Sequence, residues 1–162
     1  MQISRRSLIG AGTGAIAVAW FWPTGSGGAP VHYEVTLSDA QWRAKLSPGA
    51  YSILRQQGTE RPFTSPLLNE HRKGVFTCAG CALPVFASDT KFESGTGWPS
   101  FWAPIKNAVL QSNDASLGME RTEIHCRRCG GHLGHVFDDG PKPTGLRYCM
   151  NGVALGFTPA KA

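Results

Sequence analysis

The first chemical signal in this 162-residue chain is its five cysteines. Four of them form two pairs, Cys78-Ala-Gly-Cys81 and Cys126-Arg-Arg-Cys129. Two such knuckles, each with two intervening residues, can present four thiolates as a tetrahedral set, which is the donor geometry of structural zinc. Gly80 and Gly130 lie in or beside the knuckles, where a residue without Cβ lets the backbone aim both sulfurs of a pair at one ion. The stretch from Cys81 to Cys126 is longer than the loop of a compact zinc ribbon, so the ion is expected to staple two remote parts of one domain. Two rivals share the spacing: a pair of disulfides, favoured in an oxidising compartment, and redox-active dithiols.

The fifth cysteine, Cys149, has no obvious partner. An odd cysteine is an intermolecular disulfide, a buried inert thiol or a reactive group, and on its own the inert reading is as good as the reactive one. In Leu146-Arg147-Tyr148-Cys149-Met150-Asn151, a strand of period two puts Arg147, Cys149 and Asn151 on one face. A cysteine of ordinary pKa near 8.5 is only a few per cent thiolate at neutral pH, so a nucleophile needs positive charge or an imidazole beside it. Arg147 offers the charge. Gly130-Gly131-His132-Leu133-Gly134-His135 offers two imidazoles. Histidines three apart face opposite sides of a regular strand, so their convergence requires a bend or bulge, which Gly134 permits. Taken singly, each histidine is better read as an ordinary hydrogen-bonded or surface residue.

The elements that must carry these residues are mostly short strands. Eleven prolines and twenty glycines interrupt long regular elements, and 162 residues with 41% hydrophobic content suit one core. Ser38 with Gln41 three residues on forms a capping box for a helix from Asp39 to Leu46. Ser47-Pro48 then caps a second helix from Gly49 to Gln57, with Gly58 as its stop. Beyond Arg61 the helical period is lost. Gly74 to Thr77, Leu83 to Phe86, Arg121 to His125, Leu133 to Phe137 and Leu146 to Phe157 then read as strands between turns.

Three ordered blocks resemble a known family: Gly95-Thr96-Gly97-Trp98-Pro99-Ser100-Phe101, then Gly131-His132-Leu133-Gly134-His135-Val136-Phe137, then Gly145-Leu146-Arg147-Tyr148-Cys149-Met150-Asn151. With the four paired cysteines, they are similar to the signature blocks of the B-type peptide-methionine (R)-S-oxide reductases, from about Leu37 to Phe157. The resemblance implies a mainly β fold in which two antiparallel sheets form a sandwich or open barrel, with short N-terminal helices and a four-cysteine zinc site. It also implies thiol-dependent reduction of methionine-R-sulfoxide in oxidised proteins. Cys149 would attack the sulfoxide sulfur while His132 and His135 protonate the departing oxygen, leaving a sulfenic acid. Asn151 and Arg147 would orient polar groups, and Trp98 would wall off the substrate methyl. Many members carry a second, resolving cysteine where this chain has Thr96. The sulfenic acid at Cys149 is therefore expected to need an external thiol, such as a thioredoxin-like protein. Gly152 replaces a serine common after the motif asparagine, for which little chemical consequence is expected beyond a looser site.

Residues 1–30 differ from the rest. Ser4-Arg5-Arg6-Ser7-Leu8 precedes an apolar stretch to Trp22 and a run of small residues to Pro30. This order resembles a twin-arginine export signal, which puts the enzyme domain, residues 31–162, in the periplasm. An uncleaved membrane anchor is the competing reading. The net charge of +5 includes Arg5 and Arg6, and the other basic residues come in pairs and not in runs, so no nucleic-acid partner is expected. A monomer is the default at this size. Two other function classes use the same residues: a zinc-ribbon binding module, which leaves Cys149 and the histidines unexplained, and a Cys-His-Asn hydrolase, which also needs an oxyanion site.

Overall fold

The computed structural model describes residues 31–161, so the leader expected over residues 1–30 lies outside the described residues. Ser38 opens α1 (Asp39–Lys45) through the predicted reciprocal box: its Oγ accepts from the Gln41 amide at 3.3 Å, and Gln41 Oε1 accepts from the Ser38 amide at 2.8 Å. Ser47 caps α2 (Pro48–Gln56), with Pro48 in its first turn. The residue that ends α2 in a left-handed conformation is Gln57, at φ 55°, and not the expected Gly58. Trp42, Ile53 and Leu54 turn inward from the two helices and are buried in the core. Among the described residues no helix is long and apolar enough to cross a membrane.

Among the described residues nine strands follow: β1 (Gly74–Cys78), β2 (Pro84–Ala87), β3 (Lys91–Phe92), β4 (Ser100–Phe101), β5 (Val109–Asp114), β6 (Arg121–Cys126), β7 (His132–Phe137), β8 (Arg147–Met150) and β9 (Leu155–Pro159). They build two antiparallel sheets, one in the order β2-β1-β9 and the other β3-β4-β8-β7-β6-β5. The fold is thus mainly β, as the resemblance implied. Aromatic rings join the sheets: Phe86 of β2 stacks on Phe101 of β4 at a centroid distance of 4.3 Å, and Phe76 of β1 meets the same ring edge-on at 4.9 Å. All three rings are fully buried, each contributing about 1.5–3 kcal/mol through burial.

The single strand expected from Leu146 to Phe157 is two. It breaks at a 3-10 turn over Gly152–Ala154, and β8 and β9 lie in different sheets. The Glu60 carboxylate causes the break by accepting the amides of Gly152 and Val153, which a continuous ladder would have used. Gly152 does not loosen this corner. A Cβ built there would lie 1.8 Å from Ser65 Oγ, so the glycine is what allows the two chain segments to close on each other.

Candidate active site and metal centre

The two cysteine knuckles are equivalent turns at the ends of two hairpins, one in each sheet. Cys78 closes β1 and Cys81 leads into β2, while Cys126 closes β6 and Cys129 leads into β7. In each, the residue after the second cysteine is left-handed, Ala82 at φ 58° and Gly130 at φ 67°, and its amide bonds to the carbonyl of the first cysteine at 2.8 Å. Gly80, expected to supply a turn, has no such conformation; the position that does is Ala82.

The four sulfurs all lie within 4.8 Å of one another, with Cys78 to Cys129 at 3.7 Å and Cys81 to Cys126 at 3.5 Å. A disulfide requires about 2.05 Å. The edge of a tetrahedron of thiolates around an ion at about 2.3 Å is roughly 3.8 Å. The cluster fits a structural metal site that ties one sheet to the other, and the disulfide reading fails on distance.

Cys149 lies on β8 with Arg147 on its face, alternating with buried Tyr148 and Met150, as period two predicted. Opposite it in register is His135 of β7. The strands approach closely because the residue next to His135 is glycine: a Cβ on Gly134 would fall 2.1 Å from the Cys149 carbonyl oxygen. Leu133 is the extra residue of a bulge, since Ile124 pairs with Gly134 and His125 with His132. That irregularity brings the rings of His132 and His135 to a centroid distance of 5.3 Å.

The two imidazoles have different surroundings. His135 borders a cleft of about 130 Å³ together with Cys149, Trp98, Asn151, Arg121 and Phe137. Its Nε2 meets Asp114 Oδ2 at 2.7 Å, and Arg121 Nη2 reaches the same oxygen at 2.7 Å. Hydrogen bonds from Ser116 and His135, with the nearby Arg121 charge, hold the Asp114 carboxyl well below the usual range, so it accepts and His135 Nε2 donates. Burial pushes the His135 pKa down against the pull of Asp114, which leaves a neutral ring whose basic nitrogen is Nδ1. His132 lies behind, buried, and does not border the cleft. Its Nδ1 meets Glu123 Oε1 at 2.8 Å, and its Nε2 has no hydrogen-bond partner among the described residues.

Arg147 does not border the cleft either. It pairs with Asp139 through two bonds of 2.8 Å and covers the Phe137 ring at 4.5 Å. Its charge pulls the Cys149 pKa down, but burial pushes it up by more, and the net shift is upward. The expected thiolate of the free protein is therefore not favoured: a raised thiol pKa means less thiolate at any given pH. Asp139→Asn frees the guanidinium and removes a carboxylate that opposes ionisation. Alkylation of Cys149 by iodoacetamide at pH 7 is expected to speed up by as much as about tenfold, the effect of one pKa unit on thiolate fraction, and its pH midpoint to move down. Arg147→Ala should move the midpoint up. An unchanged pH profile in both variants would remove Arg147 from the electrostatics of the thiol.

The walls of the cleft are held by residues that sequence reasoning missed. Trp98 Nε1 donates to the Glu60 carbonyl at 3.1 Å, so the polar edge of the indole is used while the ring borders the cleft. Asn151 is buried. Its Oδ1 accepts from the Glu60 amide at 2.9 Å and its Nδ2 donates to the Leu133 carbonyl at 3.1 Å. A Cys-His-Asn hydrolase would need that amide on an imidazole, and it is not there. Glu123 and Arg121 did leave a signal, whereas Asp114, at the end of β5, did not. In Arg121-Thr-Glu-Ile-His-Cys126, a charged or polar residue recurs at every second position of an otherwise buried strand, the mark of a polar row facing inward.

Fold and site together define a β protein with a four-thiolate metal staple and one further, half-buried cysteine in a small cleft of mixed polarity. The chain belongs to the SelR domain family, whose model matches residues 46–159. It is 56% identical over 128 residues to "Peptide methionine sulfoxide reductase MsrB" of Leptospira interrogans serogroup Icterohaemorrhagiae serovar Lai, covering 78% of this chain and 98% of that protein. The protein of the same name from Agrobacterium fabrum is 58% identical over 127 residues, covering 78% and 94%, and that from Methanosarcina mazei is 54% identical over 126 residues, covering 77% and 90%.

Proposed function

We propose that this chain reduces methionine-R-sulfoxide residues of oxidised proteins to methionine at Cys149. The observation that carries the reading is the cleft of about 130 Å³ in which Cys149 faces His135 between apolar and polar walls. This volume is well below the ~300–1,000 Å³ of sites for drug-sized ligands, and it suits the terminal CH₂–S(O)–CH₃ of a single side chain. The faces of Trp98 and Phe137 take the methyl, and Arg121, His135 and the remaining Asn151 amide hydrogen take the oxygen. That division of polarity selects one epimer.

Cys149 Sγ attacks the sulfoxide sulfur. Its proton passes to His135 Nδ1 and on to the departing oxygen, with Asp114 stabilising the imidazolium in between. The S–O bond breaks, the protonated oxygen passes to Cys149 Sγ as the bond between Sγ and the substrate sulfur opens, and methionine leaves with Cys149 as a sulfenic acid, so the thiol supplies both electrons and the proton. Because the resting thiol is largely protonated, it ionises as the substrate oxygen accepts the proton and not beforehand. His132 acts from behind, its Nδ1 held by Glu123 and its ring packed against His135. Arg147 acts through its charge on the thiol.

An external thiol such as a thioredoxin-like protein then returns Cys149 to the reduced form, two thiols giving a disulfide and water. The other four cysteines are gathered in the metal cluster, and Thr96 has its hydroxyl 4.0 Å from Cys149 Sγ where a resolving thiol would stand. The ion in the cluster is zinc, consistent with an all-thiolate donor set. The leader with Arg5-Arg6 supports export of the folded, metal-loaded enzyme to the periplasm, either cleaved or still anchored, and the protein acts as a monomer.

Mixing the reduced protein with excess substrate and no reductant tests the chemistry. About one methionine per chain is expected, with one dimedone adduct on Cys149. Repeated turnover without a reductant, or an adduct elsewhere, would contradict it.

A further inference from the structure

We propose that Glu60 is a positioning residue for both walls of the cleft. This inference rests on the reductase reading and extends it to a loop residue that does not touch the thiol. Four hydrogen bonds converge on Glu60. Its carbonyl accepts the Trp98 indole N–H at 3.1 Å, and its amide donates to Asn151 Oδ1 at 2.9 Å. Its carboxylate accepts the amides of Gly152, through Oε1, and Val153, at 3.0 Å through Oε2.

The arrangement is a closed clamp. Asn151, Gly152 and Val153 are consecutive, so the side chain of Glu60 grips the chain immediately after the residue that its backbone amide holds. The Glu60 backbone is pinned by its own carboxylate, and that pinned backbone fixes the Trp98 indole on one side of the cleft and the Asn151 amide on the other. The segment that carries Glu60 is an irregular loop between α2 and the 3-10 turn at Pro66, with no ladder to hold it. Charge-assisted bonds from two amides to one carboxylate are stronger than neutral ones, which suits them to hold such a loop. The tight corner at Gly152, where no side chain fits beside Ser65 Oγ, keeps those two amides facing the carboxylate.

Loosening the clamp should act on the step in which both walls grip the sulfoxide. Misplacing a reacting partner by about 1 Å costs on the order of 10²-fold in rate. With N-acetyl-methionine-R-sulfoxide methylamide and no reductant, the single-turnover rate of methionine formation in Glu60→Ala is expected to fall by on the order of 10²-fold. Glu60→Gln, whose amide oxygen can still accept, should fall less. In a Trp98→Phe background the indole N–H is already gone, so the Glu60→Ala penalty should shrink, a non-additivity that a general loss of stability does not produce. Ala50→Gly, which weakens α2 without removing a group that borders the cleft or bonds to Glu60, should keep the wild-type rate below its own Tm.

A wild-type rate in Glu60→Ala would overturn the proposal, as would independent, multiplying effects of Glu60→Ala and Trp98→Phe, or an equal slowing in Ala50→Gly. If Glu60→Ala does not fold, Glu60→Gln decides: a slowed rate at unchanged Tm supports the clamp, and a wild-type rate removes it. A wild-type chain that yields no methionine from either epimer removes the activity and the clamp together. An active wild type with an unaffected Glu60→Ala removes the clamp alone.

Discussion

Cys149→Ser is expected to lower sulfoxide turnover by on the order of 10⁴-fold or more, the scale on which removal of a catalytic nucleophile acts. Serine nearly matches cysteine in shape, and Cys149 is only half-buried at the edge of a cleft, so β8 and its neighbours should be undisturbed. The chemistry is what changes. A hydroxyl is far less acidic and far less nucleophilic toward sulfur than a thiol, and it cannot take up the oxygen as a sulfenic acid. The raised pKa of Cys149 makes the comparison more informative. A resting thiolate would react with many electrophiles, whereas a protonated thiol depends on His135 and on the oxygen of the bound substrate to lose its proton. Wild-type and Cys149→Ser proteins should therefore show equal Tm and equal metal content, and differ only in methionine yield measured by chromatography. Residual turnover within about tenfold of wild type would move the nucleophile elsewhere.

Loss of the metal should have the largest effect on stability. The cluster joins a hairpin of the three-stranded sheet to a hairpin of the six-stranded sheet, and Cys78, Cys126 and Cys129 are buried there. A structural zinc site contributes about 10–16 kcal/mol in small domains, comparable to or larger than the total stability of about 5–15 kcal/mol expected for a globular protein. Cys126→Ser is expected to bind less than one ion per chain and either to remain unfolded or to lose at least ~15 °C in Tm, taking ~5 kcal/mol lost and ~3 °C per kcal/mol. Metal analysis with differential scanning fluorimetry reads both. A Cys126→Ser protein that is free of metal yet melts with the wild type would mean that the sheets hold together without the staple. Activity should follow folding, because none of the four clustered cysteines borders the cleft that holds Cys149.

What could be read from the sequence was local. The knuckles are short and symmetric, so Cys78-Ala-Gly-Cys81 and Cys126-Arg-Arg-Cys129 announced a four-thiolate site before any fold was known. The capping box at Ser38 and the Ser47-Pro48 cap fixed both helices to within about two residues for the same reason. Period two placed Arg147 and Cys149 on one face of β8. What the sequence could not show was pairing across the sheet. His135 faces Cys149 only because β7 and β8 are neighbours in that register, and His132 turns to Glu123 only because Leu133 is bulged out against β6. β3 and β4, of two residues each, are too short to leave a period, and β5 reads Val-Leu-Gln-Ser-Asn-Asp, with no clear alternation. Glu60 sits in an irregular loop, where its partners are set by the fold and not by spacing. The sign of the Cys149 shift needed burial, which outweighs the arginine two residues away.

The central claim is that this cleft reduces one sulfoxide epimer through one thiol. Its most direct measurement is methionine formed from the separated R and S sulfoxides of an N-acetylated methionine peptide, with zinc-loaded protein and dithiothreitol. The predicted result is methionine from the R epimer, absent in Cys149→Ser, with none from the S epimer above the protein-free rate. Turnover of neither epimer, or equal turnover of both, would contradict it.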